Sequence, residues 1–548
     1  MNNGFLEEKK HKREIQVRGF LRTFFSIGIN FWNRIWRGNA PDFPLFIFAS
    51  VTSALMGLPI IYVIWRSAFA GKDRWVRLLD TRIPTLLWST LSLGVIVTIF
   101  ALIIGVSLAW LVQRCNIPGR KAMQWLLALP LVIPPYVGAV TYIIILGPRG
   151  WIRDWFGSSP FNIYSFWGAA FVLTMFTYPY VFLITSAALK KMNRSFEEAA
   201  RAQGLTSYEI LWKVNLPLLR PAIGAGAILI FLYVLSDFGA IAMLRYNTFT
   251  SAIYYQMGSY DNLSATVLSM VLILVTLIVL WIEARTRKKQ KYYQTTKSYK
   301  KPQLYQLGFW KVPVLLYMLA VFFLSVVLPI TVLIYWSKLG IEAGALDQRF
   351  WAYGWNSIKV SGLAALACMV LALPIVYLKS RYKSYFTIFI DKLSYSGYAL
   401  PGVIIALGMI FIFNQYIPWL YNTPTLLAIA YVIRFLPQSM QSADSSLNLI
   451  SPSIDEAARS LGFAPLKVLF KVIIPLITPG VLAGGALVFV SAIKELPATL
   501  LLRPPGFDTL AVRIWVETSE SVYHLAAPAA LLIILVSIVP LKWMLSKY

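Results

Sequence analysis

The chain contains 548 residues, of which 58% are hydrophobic and only 13% are charged. Soluble domains carry about 45–50% apolar and about 25% charged residues, so this composition excludes an ordinary soluble enzyme, and it is the opposite of the balance found in disordered chains. Apolar runs of about 20 residues, such as 91–110, are too long for the alternating strands of a membrane β-barrel. We therefore predict an all-α polytopic membrane protein.

Twelve segments are long and apolar enough to cross about 30 Å of hydrocarbon as helices. The segment before the first of them is too long for a secretory signal and is predicted to be a retained basic tail at 1–44. The predicted spans are 45–66, 86–112, 124–147, 164–189, 221–244, 264–284, 312–336, 356–378, 396–416, 424–443, 479–502 and 524–545.

The net charge of +27 comes from 50 Lys and Arg against 23 Asp and Glu, which in a soluble protein would point to nucleic acid. With the N-terminus inside, 35 of those 50 lie in cytoplasmic segments, and the inverted topology would reverse the bias. We therefore predict cytoplasmic termini, contact with the lipid bilayer and no nucleic-acid partner. The densest basic run, 285–311, is predicted to be a cytoplasmic linker between two six-helix repeats, 45–284 and 312–548.

Rare residues limit the chemistry of the chain. Cys115 and Cys368 lie in or beside apolar stretches and are predicted to be packing residues. Two histidines, His11 and His524, are too few for a His-rich metal site. The sequence has no G-x4-G-K-[ST] phosphate-binding loop, so any ATP must bind to another polypeptide. We expect no catalytic residue, no metal site and no cofactor in this chain.

The two halves of the sequence repeat each other. Residues 197–223 align with 455–481 at an offset of 258, without a gap and with 11 identities in 27. The same register pairs Asp237 with Glu495, whereas earlier spans need offsets nearer 267–271. We therefore predict an internal duplication in which two six-helix copies have the same orientation, as parallel repeats about an axis along the membrane normal.

The best-matched segment of each repeat predicts a capped helix–turn–helix on the cytoplasmic side. Ser195 and Ser453, each three residues before a glutamate, predict capping boxes. Gly204 and Gly462 are predicted to be left-handed C-caps. Two prolines are predicted to end the second helix of each loop before the next span: Pro217 and Pro475.

These two loops resemble the EAA loop, E-A-A-x3-G-x9-I-x-L-P, of ABC-importer permeases, the binding-protein-dependent inner-membrane components. Val214 and Val472 stand at its isoleucine, and Ile474 stands at the leucine of the second copy. The resemblance covers essentially the whole chain as two fused permease units, and it implies the type I ABC-importer fold with each loop as a coupling helix seated on an ATPase. The ATPase-coupling residues it implies are Glu198, Ala199, Ala200, Gly204, Pro217, Glu456, Ala457, Ala458, Gly462 and Pro475.

The resemblance also implies partners and a location. Two copies of an ABC ATPase subunit would bind ATP and Mg²⁺, and an extracytoplasmic protein would bind the substrate. The chain itself would be a multi-pass protein of the bacterial inner membrane and not an enzyme. Candidates for docking the binding protein are Arg245, Arg503 and Arg513.

Four ionisable residues are predicted inside spans, where charge is costly and usually faces a cavity or a partner. Asp237 and Glu495 are equivalent in the repeat, Lys494 adjoins Glu495, and Arg434 could pair with either acid. Two interpretations remain open. The four residues clamp the halves together by ion pairs, or they line a translocation pathway for a cationic substrate.

Two further strings resemble ferric iron permeases of this family: Ser236-Asp-Phe-Gly-Ala240 and Lys494-Glu-Leu-Pro497. They imply ferric iron as the substrate, with thiamine, phosphonate and polyamine as alternatives carried by closely related permeases. A different class, the secondary transporter with two six-helix repeats, would need no ATPase.

Overall fold

The computed structural model describes residues 41–158, 161–193, 195–288, 304–382 and 384–547. The predicted tail 1–44 lies outside these ranges except for 41–44, and so do residues 289–303 of the predicted linker. All regular elements of the described residues are helical, apart from one isolated parallel bridge between Cys115 and Tyr305.

The first half of the chain contains thirteen α-helices among the described residues, with a 3₁₀ turn at Leu129–Leu131 and a π-helical turn at Leu211–Asn215. In chain order they are α1 Phe43–Ala68, α2 Lys72–Thr81, α3 Ile83–Arg114, α4 Arg120–Leu126, α5 Pro135–Leu146, α6 Trp151–Phe156, α7 Phe166–Lys191, α8 Ser195–Ala202, α9 Ser207–Ile210, α10 Leu216–Ser236, α11 Gly239–Met243, α12 Phe249–Gly258 and α13 Asn262–Lys288.

The second half adds a 3₁₀ turn at Gly308–Trp310 and π-helical turns at Phe323–Val327 and Leu469–Ile473. Its described α-helices are α14 Lys311–Phe322, α15 Leu328–Glu342, α16 Gln348–Arg381, α17 Tyr385–Ser394, α18 Ser396–Ala399, α19 Gly402–Tyr416, α20 Pro424–Leu447, α21 Pro452–Ser460, α22 Pro465–Val468, α23 Ile474–Ile493, α24 Pro497–Leu502, α25 Leu510–Ser519 and α26 Tyr523–Lys547.

Nine stretches of helix in the described ranges are long and apolar enough to cross a membrane, or up to eleven if each of two bent helix pairs is one span. The bent pairs are Arg120–Leu131 with Pro135–Phe156, and Tyr385–Tyr398 with Gly402–Tyr416. The remaining predicted span, 424–443, is helical in α20 but is not among these stretches. The second half of α20 is rich in Ser and Gln, which lowers its hydropathy, so the total of twelve spans stays a prediction.

Small residues let neighbouring helices approach closely at equivalent places in the two repeats. A Cβ added at Gly226 of α10 would lie 2.7 Å from Val181 of α7, and one at Gly484 of α23 would lie 3.0 Å from the backbone of Ser439 of α20. The two residues of the second contact follow those of the first by 258 positions, which is the offset between the repeated sequences. Close packing through small residues is the usual way in which membrane helices associate.

The described residues fold into two compact units. One contains 41–56, 368–395 and 437–484, and the other contains 57–367, 396–436 and 485–547. These units are defined by packing, and the predicted boundary at 285–311 is defined by sequence repetition, so the domain division stays a prediction.

Candidate functional site

The first predicted coupling loop consists of a short helix, a left-handed glycine and a second helix. Beyond the end of α8, Gly204 has a φ of +84°. The N–H of Leu205 donates to the carbonyl of Ala200 at 3.2 Å, which is the bond of a Schellman C-cap. Thr206 and Glu209 then form a reciprocal capping box that starts α9, with bonds of 3.0 and 3.3 Å.

The second predicted loop repeats this geometry. Gly462 has a φ of +85°. The N–H of Phe463 donates to the carbonyl of Ala458 at 3.2 Å, and α22 begins at Pro465. The two predicted glycine C-caps are therefore confirmed.

The N-terminal caps differ from the prediction. The N–H of Ser195 donates to Asn193 Oδ1 at 3.1 Å, and the N–H of Ser453 donates to Ser451 Oγ at 3.3 Å. The predicted capping boxes at Ser195 and Ser453 are therefore wrong, because a polar residue two positions earlier accepts the first free N–H of each helix.

The predicted coupling residues divide between surface and interior. The exposed ones are Ala199, Gly204, Glu456, Ala457, Gly462 and Pro475; Glu198 and Pro217 are partly buried, and Ala200 and Ala458 are buried. Each loop therefore presents one small alanine and a glycine on its surface and packs its second alanine inward.

A buried carboxylate anchors each predicted coupling helix, α8 in the first loop and α21 in the second. The sequence analysis did not identify either carboxylate. Glu197 Oε1 lies 2.9 Å from Arg114 Nη2, and these side chains are 2% and 0% exposed. At the equivalent place in the second repeat, Asp455 Oδ2 lies 2.6 Å from Arg381 Nε. The Tyr377 hydroxyl also donates to Asp455 at 3.3 Å.

The two arginines occupy equivalent positions. Arg114 ends α3 and Arg381 ends α16, an offset of 267 that agrees with the register of the earlier spans. An arginine at the end of a long apolar run and an acid directly before each EAA motif were the available signals. The two partners of each pair lie in the same compact unit. Because an unpaired buried charge is strongly destabilising, each pair ties a predicted coupling helix to the end of a long helix.

The prediction that Pro217 and Pro475 end helices is wrong. Each is the second residue of its helix, α10 or α23, and a π-helical turn precedes it. Proline lacks the N–H that an α-turn would use, and the wider π-turn accommodates both its ring and the missing donor. The second helix of each loop therefore runs directly into an apolar stretch, Tyr208–Ser236 or Leu466–Ile493.

Asp237 and Glu495 lie at helix breaks, so the predicted spans 221–244 and 479–502 are not continuous helices. Asp237 lies between α10 and α11, and its Oδ1 accepts from the N–H groups of Ala240 and Ile241 at 3.1 and 3.2 Å. Glu495 lies between α23 and α24, and its Oε1 accepts from the Ala498 N–H at 3.2 Å. Each acid caps the next helix because the first N–H groups of a helix lack backbone partners.

The two basic residues near these acids have different partners. Arg434 Nη1 lies 3.2 Å from Glu495 Oε1, and the guanidinium also interacts electrostatically with Asp237. Lys494 Nζ donates to the carbonyl of Leu131 at 2.9 Å. Gly402 leaves room for the ion pair, because a Cβ there would collide with both of its side chains. The predicted pairing of Arg434 with an acid is confirmed, and the acid is Glu495.

The three candidate docking arginines already have partners within the chain. Arg245 has a φ of +53° and lies over an aromatic ring, with its guanidinium carbon 5.3 Å from the ring centroid. Arg503 forms an ion pair with Asp508, and Arg513 Nη1 lies 2.6 Å from Glu517 Oε1. Their docking role stays a prediction.

Two segments of the chain, residues 105–292 and 364–544, each match the family described as the binding-protein-dependent transport system inner membrane component. Each segment contains a capped loop, a buried ion pair between that loop and the end of a long helix, and an acid at a helix break. The segments cover more than half of the sequence, and the chain belongs to this family of ABC-transporter permeases. The double match confirms the internal duplication, and with the apolar helices it identifies a multi-pass inner-membrane protein.

Individual relatives agree with this family. The chain is 36% identical over 516 residues to the Fe(3+)-transport system permease protein FbpB 2 of Haemophilus influenzae, covering 93% of this chain and 99% of that protein. It is 25% identical over 436 residues to the ferric transport system permease protein FbpB of Actinobacillus pleuropneumoniae, covering 75% of this chain and 62% of that protein. It is also 28% identical over 215 residues to the molybdenum transport system permease protein ModB of Escherichia coli, covering 36% of this chain and 93% of ModB.

Proposed function

We propose that this chain forms the translocation pathway of an ATP-driven importer of ferric iron, and that its two EAA loops couple it to a separate ATPase dimer. The observation that carries the proposal is the 36% identity to an Fe(3+)-transport permease along almost the whole length of both chains. The duplicated capped loop supports the second part of the proposal, because one loop per repeat suits a partner with two equivalent subunits.

The geometry of the loops suits the transmission of movement. Each coupling helix has a defined C-cap and a buried ion pair at its root, so a displacement of the helix is passed to the helix whose end carries the arginine. An exposed alanine and an exposed glycine on each loop allow a groove on the ATPase to approach the backbone closely.

The proposed arrangement is twelve membrane spans in two parallel six-helix repeats, with α20 as the most polar span and both termini in the cytoplasm. The cytoplasmic side would carry two ATPase subunits that bind ATP and Mg²⁺, and a substrate-binding protein would dock on the other side. Transport would follow alternating access, in which closure of the ATPases moves both coupling loops.

Asp237 is the stronger candidate for contact with a cationic substrate. Glu495 is paired directly with Arg434, whereas the atoms that Asp237 Oδ1 accepts from are neutral backbone N–H groups. Asp237 is also partly exposed, while Glu495 is buried. Carboxylates are suitable transient ligands for a hard trivalent cation such as ferric iron.

The test is uptake of labelled ferric iron into proteoliposomes that contain this chain and its ATPase, with the substrate-binding protein supplied outside. We expect uptake to require ATP and to be inhibited by vanadate. An excess of thiamine, a phosphonate or a polyamine should not reduce it. Competition by one of these compounds would reassign the substrate. Uptake driven by an ion gradient without the ATPase would instead establish a secondary transporter.

A further inference from the structure

An arginine on each coupling helix lies against a tyrosine ring. In the second repeat, Arg459 donates from Nη2 to the Tyr382 hydroxyl at 2.6 Å, and its guanidinium carbon lies 5.5 Å from the centroid of that ring. In the first repeat the equivalent Arg201 lies over the ring of Tyr305, 5.8 Å from its centroid. The two coupling helices therefore make the same kind of contact through the same position of the repeat.

The two tyrosines come from different places in the sequence. Tyr382 directly follows Arg381, the residue that pairs with Asp455. At the offset of 267 that relates Arg114 to Arg381, the residue equivalent to Tyr382 is Cys115, which has no ring. The ring beside the first coupling helix is instead supplied by Tyr305, which lies in the segment between the two repeats.

The backbone of Tyr305 lies beside Cys115, the position at which the first repeat lacks the ring. The Tyr305 N–H donates to the carbonyl of Arg114 at 2.7 Å, and its carbonyl accepts from the Asn116 N–H at 3.0 Å, so the bridge encloses Cys115. The side chains of Asn116 and Gln306 are also joined, at 3.0 Å. Trp110 of α3 stacks on the Tyr305 ring with centroids 5.9 Å apart.

Both tyrosines are neutral at physiological pH, as a cation–π contact requires. An ordinary phenol has a pKa of about 10, and burial raises the pKa of Tyr305 and of Tyr382 further. The contact therefore positions Arg201 and Arg459 without placing a second negative charge beside the buried carboxylates.

We propose that Tyr305 is a positioning residue of the first coupling loop, and that the segment between the repeats replaces, from a distant part of the chain, the tyrosine that the second repeat carries next to its own arginine. The proposal rests on the proposed coupling function of the EAA loops. It gives the inter-repeat segment a role beyond joining two units: the end of that segment completes the support of one ATPase-docking helix.

The experiment uses the full-length chain purified with its ATPase and compares Tyr305→Ala, Tyr305→Phe and Tyr382→Ala. We expect Tyr305→Ala and Tyr382→Ala each to weaken binding of the ATPase at least about fivefold, because each removes the ring beside a coupling-helix arginine. Tyr382→Ala also removes the hydroxyl to which Arg459 donates. Tyr305→Phe keeps the ring and should retain most of the affinity. Phe309→Ala, in an exposed position of the same segment, is the matched control and should leave ATPase affinity unchanged.

A second measurement separates positioning from simple loss of structure. Thermal unfolding of each variant in detergent reports stability, and Cys115→Tyr combined with Tyr305→Ala tests whether a ring at the equivalent position restores ATPase affinity. Unchanged affinity in Tyr305→Ala would overturn the inference, and so would loss of affinity in Tyr305→Phe and Tyr305→Ala alike.

A further variant distinguishes failure of this inference from failure of the proposed function. Glu456→Ala changes an exposed residue of the second EAA loop. If Glu456→Ala weakens ATPase binding while Tyr305→Ala does not, only the inference about Tyr305 is overturned. If neither variant weakens binding, the coupling role of the loops is overturned with it.

Discussion

Neighbouring acids of one motif have different surroundings. Asp455 is 4% exposed and pairs with Arg381, whereas the next residue, Glu456, is exposed to solvent. In the first repeat Glu197 is likewise buried, and Glu198 is partly exposed. The first acid of each pair therefore stabilises the loop, and the second lies nearer the surface that a partner would meet.

We predict that Asp455→Asn lowers the free energy of unfolding by about 3–5 kcal/mol, because it leaves the Arg381 guanidinium buried without a countercharge. Glu456→Gln, one residue away, should change stability by less than about 0.5 kcal/mol. Unfolding in detergent measures both variants. The double variant Arg381→Met with Asp455→Leu removes both charges and should recover most of the stability. Equal losses in the two single variants would contradict this assignment.

We predict that the two acids at the helix breaks, Asp237 and Glu495, also differ in their contributions to stability and to transport. Asp237→Asn retains an oxygen that can accept from Ala240 and Ile241, so stability should stay close to that of the parent protein. If Asp237 contacts the cation in transit, uptake should fall about tenfold, which corresponds to roughly 1.4 kcal/mol in the barrier.

Glu495→Gln is the matched comparison, because it removes the charge that pairs with Arg434. We expect a larger loss of stability from this variant than from Asp237→Asn. Uptake and thermal unfolding measured on both variants decide between the two interpretations. Unchanged uptake when Asp237 and Glu495 are neutralised together, in a protein that still assembles, would show that the acids only hold the structure together.

At the scale of elements, the predicted coupling loops are defined by how their helices end. Gly204 and Gly462 both have a left-handed backbone, and both are followed by the hydrogen bond of a Schellman cap. The π-helical turns then let the second helix of each loop continue past Pro217 or Pro475 into the next long helix. Each loop is therefore continuous with a membrane helix on its C-terminal side.

We predict that Gly204→Ala destabilises the loop by about 1–2 kcal/mol through backbone strain alone, because a Cβ at this glycine meets no atom within 4 Å. Gly224→Ala is the matched control. It also has open space around the added Cβ, but it lies in α10 with an ordinary helical backbone and should be neutral or stabilising by up to about 1 kcal/mol. Thermal unfolding and ATPase affinity measure both variants. A similar outcome for the two glycines would show that the left-handed conformation does not matter.

At the scale of the whole molecule, the duplication predicts that both coupling loops lie on the same side of the membrane. Two repeats with an even number of spans keep their orientation, and a single ATPase dimer can then contact both loops. The excess of Lys and Arg in the predicted cytoplasmic segments supports the same side for both termini.

We predict that Gln203→Cys and Ser460→Cys, at exposed positions of the two loops, react with a membrane-impermeant thiol reagent in inside-out vesicles and not in intact cells. The natural cysteines, Cys115 and Cys368, are buried, so they contribute little background. Glu520→Cys, in an exposed turn between α25 and α26, is the control for the opposite side. Labelling of the two loops from opposite sides would contradict parallel repeats.

The sequence by itself determined features that depend on a few adjacent residues or on the average character of a long stretch. The apolar stretches, the left-handed glycines and the duplication could all be predicted, because hydropathy and C-capping are set locally and repetition is visible in the letters. The breaks at Asp237 and Glu495 could not be predicted, and the sequence analysis gave continuous spans there. Hydropathy does not distinguish an unbroken helix from two helices joined by a capping acid.

Only the tertiary structure decided which distant residues meet. The pairs Arg114 with Glu197 and Arg381 with Asp455 join residues more than 70 positions apart, and Tyr305 completes a site whose other members lie about 100 residues or more before it. Such pairings depend on how the helices pack, and packing is governed by shape and burial that no short pattern encodes. The sequence therefore located the two capped loops that are predicted to couple to the ATPase, and the fold decided what holds each of them in place.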